Sequence, residues 1–136
     1  MKKVSAIALS TAMALSMALP SKVNATSRVD QLLSNMTTRQ KITQMLMVDF
    51  RYWDEDLSDG AQTTGHEFTK MNDQVRKIVE DYDFGALIYF AQNIQETEQS
   101  YNLSMAMQKA ATKDDGIPLL ISADQEGGSV YRLGSG

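Results

Sequence analysis

Cysteine is absent from the 136 residues, proline occurs only twice, and histidine and tryptophan occur once each, as His66 and Trp53. Without cysteine there is no disulfide framework, no thiol nucleophile and no lipid-modified cysteine anchor. The segment "HEFTK" at His66 lacks the second histidine of a zinc-protease helix, so a histidine-based metal site within the chain is excluded. Positive charge is also in short supply, with 13 Lys and Arg against 17 Asp and Glu. No basic patch is present to hold nucleic acid or an anionic lipid surface. The acidic run "DEDLSDG" from Asp54 fails as a calcium loop, because its sixth position is Asp59 rather than glycine and its twelfth is Gly65 rather than glutamate. It reads as a solvated loop.

One long hydrophobic run is present, "VSAIALSTAMALSMAL" from Val4 to Leu19, preceded by Lys2 and Lys3 and ended by Pro20. Val23, Asn24 and Ala25 then supply small residues where a signal peptidase cuts. Residues 1–25 are therefore expected to be a secretory signal peptide, placing the protein outside a bacterial cell, secreted or associated with the wall. The alternative, a transmembrane anchor, is disfavoured by the run's shortness, its Ala and Ser content and the cleavage site behind it. Cleavage removes three lysines and no acid, taking the net charge from −4 to −7 for residues 26–136. No membrane contact is expected after it.

The remaining chain alternates between helical and strand patterns, with no internal repeat or low-complexity segment. Thr37 with Gln40 has capping-box spacing, Ile42, Met45 and Leu46 follow on one face, and "MLMVDF" (Met45 to Phe50) reads as a short buried strand. Arg51 to Glu67 loses periodicity and reads as a long loop. Met71, Val75, Ile78, Val79 and Tyr82 mark an amphipathic helix, and "ALIYF" (Ala86 to Phe90) a second strand. Leu103, Ala106, Met107 and Ala110 mark a helix within Glu96 to Thr112, and "IPLLISA" (Ile117 to Ala123) a third strand. Met45, Met47, Met71, Met105 and Met107 occupy core-like positions and read as packing material. Uniformly apolar strands joined by helical crossovers predict an α/β fold with buried parallel strands, either an open doubly wound sheet or the first part of a (β/α)8 barrel. Both gather chemistry at the carboxyl ends of strands, where Asp49, Asn93 and Asp124 fall.

The stretch "LLISADQEGGSVYRL" places dense polar chemistry at the mouth of an apolar strand. Together with "RQKITQMLMVDF" and "FGALIYFAQNIQ", in that order along the chain, it resembles the amino-terminal barrel domain of family-three glycoside hydrolases, particularly their β-N-acetylhexosaminidase branch. The fold implied is the first three β/α units of a (β/α)8 barrel. The activity implied is retaining hydrolysis of terminal β-linked N-acetylglucosamine, through a glycosyl-enzyme intermediate and with no metal or organic cofactor. Asp124 matches the carboxylate that grips sugar hydroxyls at the nonreducing end, a role suited to an acceptor of short charge-assisted hydrogen bonds. Capping of the following turn is the alternative. Arg132 matches the second arginine after the glycines and either supports the pocket or contacts substrate, with a surface ion pair as the alternative. Gly127 and Gly128 would let the backbone turn sharply, and Glu126 would order the loop rather than act as nucleophile. Asn93 is either site support or structural, and Trp53 either a sugar-stacking platform or a partly covered surface residue. Two departures bear on substrate preference: Ser129 and Gln92 stand where arginine is common.

A retaining glycosidase needs a nucleophile and an acid/base about 5 Å apart. In the resembling family these lie on later strands and loops, and the segment from residue 26 to 136 carries no counterpart. A (β/α)8 barrel takes about 250 residues. The chain is thus expected to be the amino-terminal fragment of a longer enzyme, with no catalytic residue of its own and inactive as written. The alternative functions are a noncatalytic secreted saccharide-binding remnant, and an unrelated doubly wound domain cradling phosphate on "EGGSVYRLGSG". The glycines of that segment fit neither phosphate-binding pattern.

Overall fold

Thr37 begins a helix for a local reason: its hydroxyl accepts from the Gln40 N–H at 3.2 Å while the Gln40 side chain accepts from the Thr37 N–H at 2.9 Å. This reciprocal pair satisfies amides that the first helical turn leaves open. The computed structural model describes residues 25–54 and 65–134, so the expected signal segment and most of the acidic loop lie outside the described residues. In chain order the elements are α1 (Ala25–Asn35), α2 (Thr38–Thr43), β1 (Met47–Val48), α3 (Asp73–Tyr82), β2 (Ala86–Tyr89), α4 (Thr97–Ala111) and β3 (Leu120–Ala123). Short 3-10 turns follow β2 and α4. The helix α3 starts at Asn72, whose side chain accepts from the Val75 N–H at 2.8 Å, and ends at Asp83 in the left-handed region. Gln44 and Gln40 capture that end, donating to the Asp83 carbonyl at 2.8 Å and to its carboxylate at 3.0 Å.

The three strands form one parallel sheet in the order β1-β2-β3, with Met47 opposite Ala86 and Ala86 opposite Leu120. The fold is therefore α/β with a parallel sheet, as the sequence predicts. Alternation along the strands sends Val48, Leu87, Tyr89, Ile121 and Ala123 to one face, where they meet Val75 and Val79 of α3 and Leu103, Met107 and Ala110 of α4. Fully burying side chains such as Leu87, Leu103 and Met107 contributes about 1.5–3 kcal/mol each. Two glycines permit the close approaches at the strand starts. A Cβ on Gly85 would lie 1.9 Å from the Gln44 carbonyl oxygen, and one on Gly116 2.0 Å from that of Ala111.

The expectation of strands buried on both faces is met in the central strand β2, where Ala86, Leu87 and Tyr89 are all buried, and is corrected for β1 and β3. Met47 and Leu120, on the face away from the helices, are 49% and 66% exposed. The methionine reading is corrected in the same way. Met107 is fully buried and Met71 packs against the core, but Met45 and Met105 are exposed, and Ile42 is exposed on α2. The strands are also shorter than their apolar runs: Ile117 and Pro118 precede the ladder, and β1 pairs over two residues.

Candidate functional site

Asp124 continues the β3 ladder by one residue, its N–H bonding the Tyr89 carbonyl at 3.1 Å. Two positions beyond Ser122, it belongs to the open face of the sheet. Phe90, extended and two positions beyond Ile88, shares that face, as does Asp49 two positions beyond Met47. Three neighbouring parallel strands thus deliver Asp49, Phe90 and Asp124 to one edge.

An arginine accompanies each of the two carboxylates. Arg132 Nη2 donates to Asp124 Oδ2 at 3.2 Å, and both side chains are largely covered, at 21% and 29% exposure. Asp124 Oδ1 is left without a partner among the described residues, while Arg132 Nε is buried and makes no hydrogen bond. At the other flank, Arg51 Nε donates to Asp49 Oδ1 at 3.2 Å, and its guanidinium lies 3.4 Å from the centre of the Phe90 ring. The Arg51 carbonyl accepts from the Phe68 N–H, so its backbone is fixed as well. Arg51 was not singled out from sequence. The signal was there in "DFR", an acid and a base two apart immediately behind a strand.

Asn93 resolves as scaffold. It is 1% exposed, donates to the Phe50 and Phe68 carbonyls at 2.8 and 2.9 Å, and accepts from the Phe90 N–H at 3.0 Å. Its side chain ties the ends of β1 and β2 to the returning chain. Gln92 donates to the Tyr52 hydroxyl at 3.1 Å, in the same tie. Trp53 is half-buried, edge-on to Phe50, and donates to Gln74 Oε1 at 2.7 Å. His66 sits exposed where the long loop returns through a bridge between Tyr52 and Glu67.

The glycine segment turns as expected: Gly127 and Gly128 have φ of 83° and 58° with open space around them. The expected role of Glu126 is corrected. Its exposed side chain has no hydrogen-bond or ion-pair partner among the described residues, and the loop is ordered by Gln125. The amides of Glu126 and Gly127 both go to the Val130 carbonyl, so they are not free to cradle a phosphate. Among the described residues no group of three or more His, Cys, Asp or Glu could hold a metal ion. A cleft of about 530 Å³ lies at the opposite end of the strands, between Leu32 of α1 and Gly116, remote from Asp124.

The model of the glycosyl hydrolase family 3 N terminal domain matches residues 37–136, from the capping threonine through all three strands and the D-Q-E-G-G segment. The chain belongs to glycosyl hydrolase family 3. Within it, the chain is 36% identical over 99 residues to Beta-hexosaminidase A of Pseudoalteromonas piscicida, covering 72% of this chain and 17% of that protein. It is 38% identical over 64 residues to the Beta-hexosaminidase of Photobacterium profundum, covering 47% and 18%. Among solved structures, a glycoside hydrolase family 3 beta-N-acetylglucosaminidase from Paenibacillus sp. str. FPU-7 superposes with a TM-score of 0.57 at 35% identity, over 74% of this chain and 16% of that one. The chain spans under one fifth of the length of each of these relatives.

Proposed function

We propose that this family 3 chain is the amino-terminal part of a secreted, retaining β-N-acetylhexosaminidase acting on terminal β-linked N-acetylglucosamine, built on a (β/α)8 barrel whose inner wall is the open sheet face. The observation that carries this reading is the Asp124–Arg132 pair at the end of β3. A carboxylate with one oxygen held by an arginine and the other unpartnered can accept from vicinal sugar hydroxyls, and its place at a strand end fixes the ring for attack. Arg51, stacked on Phe90 and braced by Asp49, presents a second donor group on the same edge. Two relatives bear the name Beta-hexosaminidase and the structural neighbour is a beta-N-acetylglucosaminidase, which favours an acetamido sugar over glucose.

In this reading the nucleophile and acid/base come from later strands, so this chain supplies sugar recognition and no hydrolysis. The test is titration of the chain with N-acetylglucosamine, expected to bind in the millimolar range, and of Asp124→Asn, expected to bind at least about tenfold more weakly from the loss of a charged acceptor. Equal affinity of the two proteins would remove Asp124 from the site. An intact mass of the natural secreted protein several times that of this chain would support the longer enzyme, and a mass matching it would favour the binding remnant.

A further inference from the structure

The segment that returns Arg132 to Asp124 is closed by one side chain. Gln125 Oε1 accepts from the Arg132 N–H at 2.7 Å and from the Leu133 N–H at 3.0 Å. Because both partners are backbone donors, the atom facing them must be the amide oxygen. Within the loop, the Val130 carbonyl takes the Glu126 and Gly127 amides, and the Val130 N–H bonds the Gly127 carbonyl at 3.1 Å. That turn orders the tip, but it leaves Tyr131 to Leu133 with no backbone hydrogen bond to the strands. Among the described residues, the backbone of that far end is held by Gln125, and its other tie is the Arg132 side chain on Asp124.

We infer that Gln125 is a positioning residue for sugar binding: its side-chain carbonyl grips both amides flanking Arg132 and so holds the guanidinium against Asp124. The inference rests on the sugar-binding reading of the Asp124–Arg132 pair. Free of Gln125, Arg132 must be ordered when the ligand arrives, and affinity falls by the cost of that ordering. The side chain is exposed and fills no core space, so its contribution lies in the acceptor atom and not in packing.

Two substitutions separate these roles in the full chain. Gln125→Met keeps the length and nearly removes the acceptor, whereas Gln125→Glu keeps an acceptor oxygen. The first readout is trypsin cleavage of the Arg132–Leu133 bond, the peptide whose two ends Gln125 holds. The second is affinity for N-acetylglucosamine. Gln125→Met is expected to be cleaved at Arg132 about tenfold faster, with cleavage at Arg76 in α3 unchanged, and to bind the sugar about tenfold more weakly, the scale of two lost hydrogen bonds. Gln125→Glu is expected to stay near the parent chain in both. Unchanged sugar affinity in Gln125→Met, in a chain that binds the sugar and loses it on Asp124→Asn, overturns the inference and leaves the sugar site standing. A parent chain that binds no N-acetylglucosamine overturns both, and faster cleavage then reports a purely structural clamp.

Discussion

Asn93 makes three side-chain hydrogen bonds to backbone, at Phe50, Phe68 and Phe90, and so joins the ends of β1 and β2 to the returning chain. Replacing it by alanine leaves the Phe50 and Phe68 carbonyls and the Phe90 amide without this partner. At about 1 kcal/mol per lost bond, Asn93→Ala is expected to lower stability by about 3 kcal/mol, read as a shifted urea midpoint at unchanged slope. Tyr89 makes a prediction in pH. Its hydroxyl is pushed above the usual tyrosine value of about 10 by burial, with the Ser104 hydrogen bond pulling partly back. The folded chain then holds this proton where the unfolded chain releases it. The associated stability is complete below about pH 10 and is lost as pH rises through the higher folded value. Melting temperatures measured between pH 9 and 11 should fall more steeply for the parent chain than for Tyr89→Phe. Equal slopes would show that burial of this hydroxyl has no influence on the alkaline limb.

At the scale of elements, the sequence carried the helices better than the strands. The capping pair Thr37 and Gln40 and the spacing of Val75, Val79, Leu103 and Met107 are local signals, and α2, α3 and α4 form where they point. Strand length and burial are decided by neighbours. The apolar run from Ile117 to Ala123 says nothing of where β2 stops pairing, so the ladder begins only at Leu120. The site divided in the same way. Asp124 and Arg132 stand out in the D-Q-E-G-G segment and its continuation, and they pair at 3.2 Å, whereas the contacts of Gln125 and Arg51 are ones that only the folded turn and the adjacent strand create. Gly85 shows how tightly elements meet. Its missing Cβ admits the Gln44 carbonyl, a backbone atom fixed by α2, so Gly85→Ala is expected to cost about 3 kcal/mol through forced displacement of β1 from β2. Gly127→Ala meets nothing within 4 Å and should cost only about 1 kcal/mol, from its positive φ. Thermal melts of the pair, with the larger loss at Gly127, would refute the packing account of Gly85.

For the molecule as a whole, the open sheet face is the feature that links fold to proposed function. Met47 and Leu120 give it an apolar surface, and the Ser122 hydroxyl reaches the Met47 sulfur at 3.7 Å across it. β1 and β3 also present unpaired outer edges among the described residues, a known route to association. A side chain on such a face contributes little to this chain and much to an assembly that covers it. Leu120→Ser is therefore expected to change the stability of this chain by no more than about 0.5 kcal/mol, and to reduce its self-association in sedimentation runs. In the full-length enzyme proposed above, the same residue would lie inside the barrel, and the same substitution should cost about 2–4 kcal/mol. Leu103→Ala, within the core between α4 and the sheet, should cost about 3 kcal/mol in either protein. A small effect of Leu120→Ser in both would mean that this face is never covered, and the barrel reading would fall with it. A loss that appears only in the longer protein would identify the face beside Asp124 as the inner wall of the barrel.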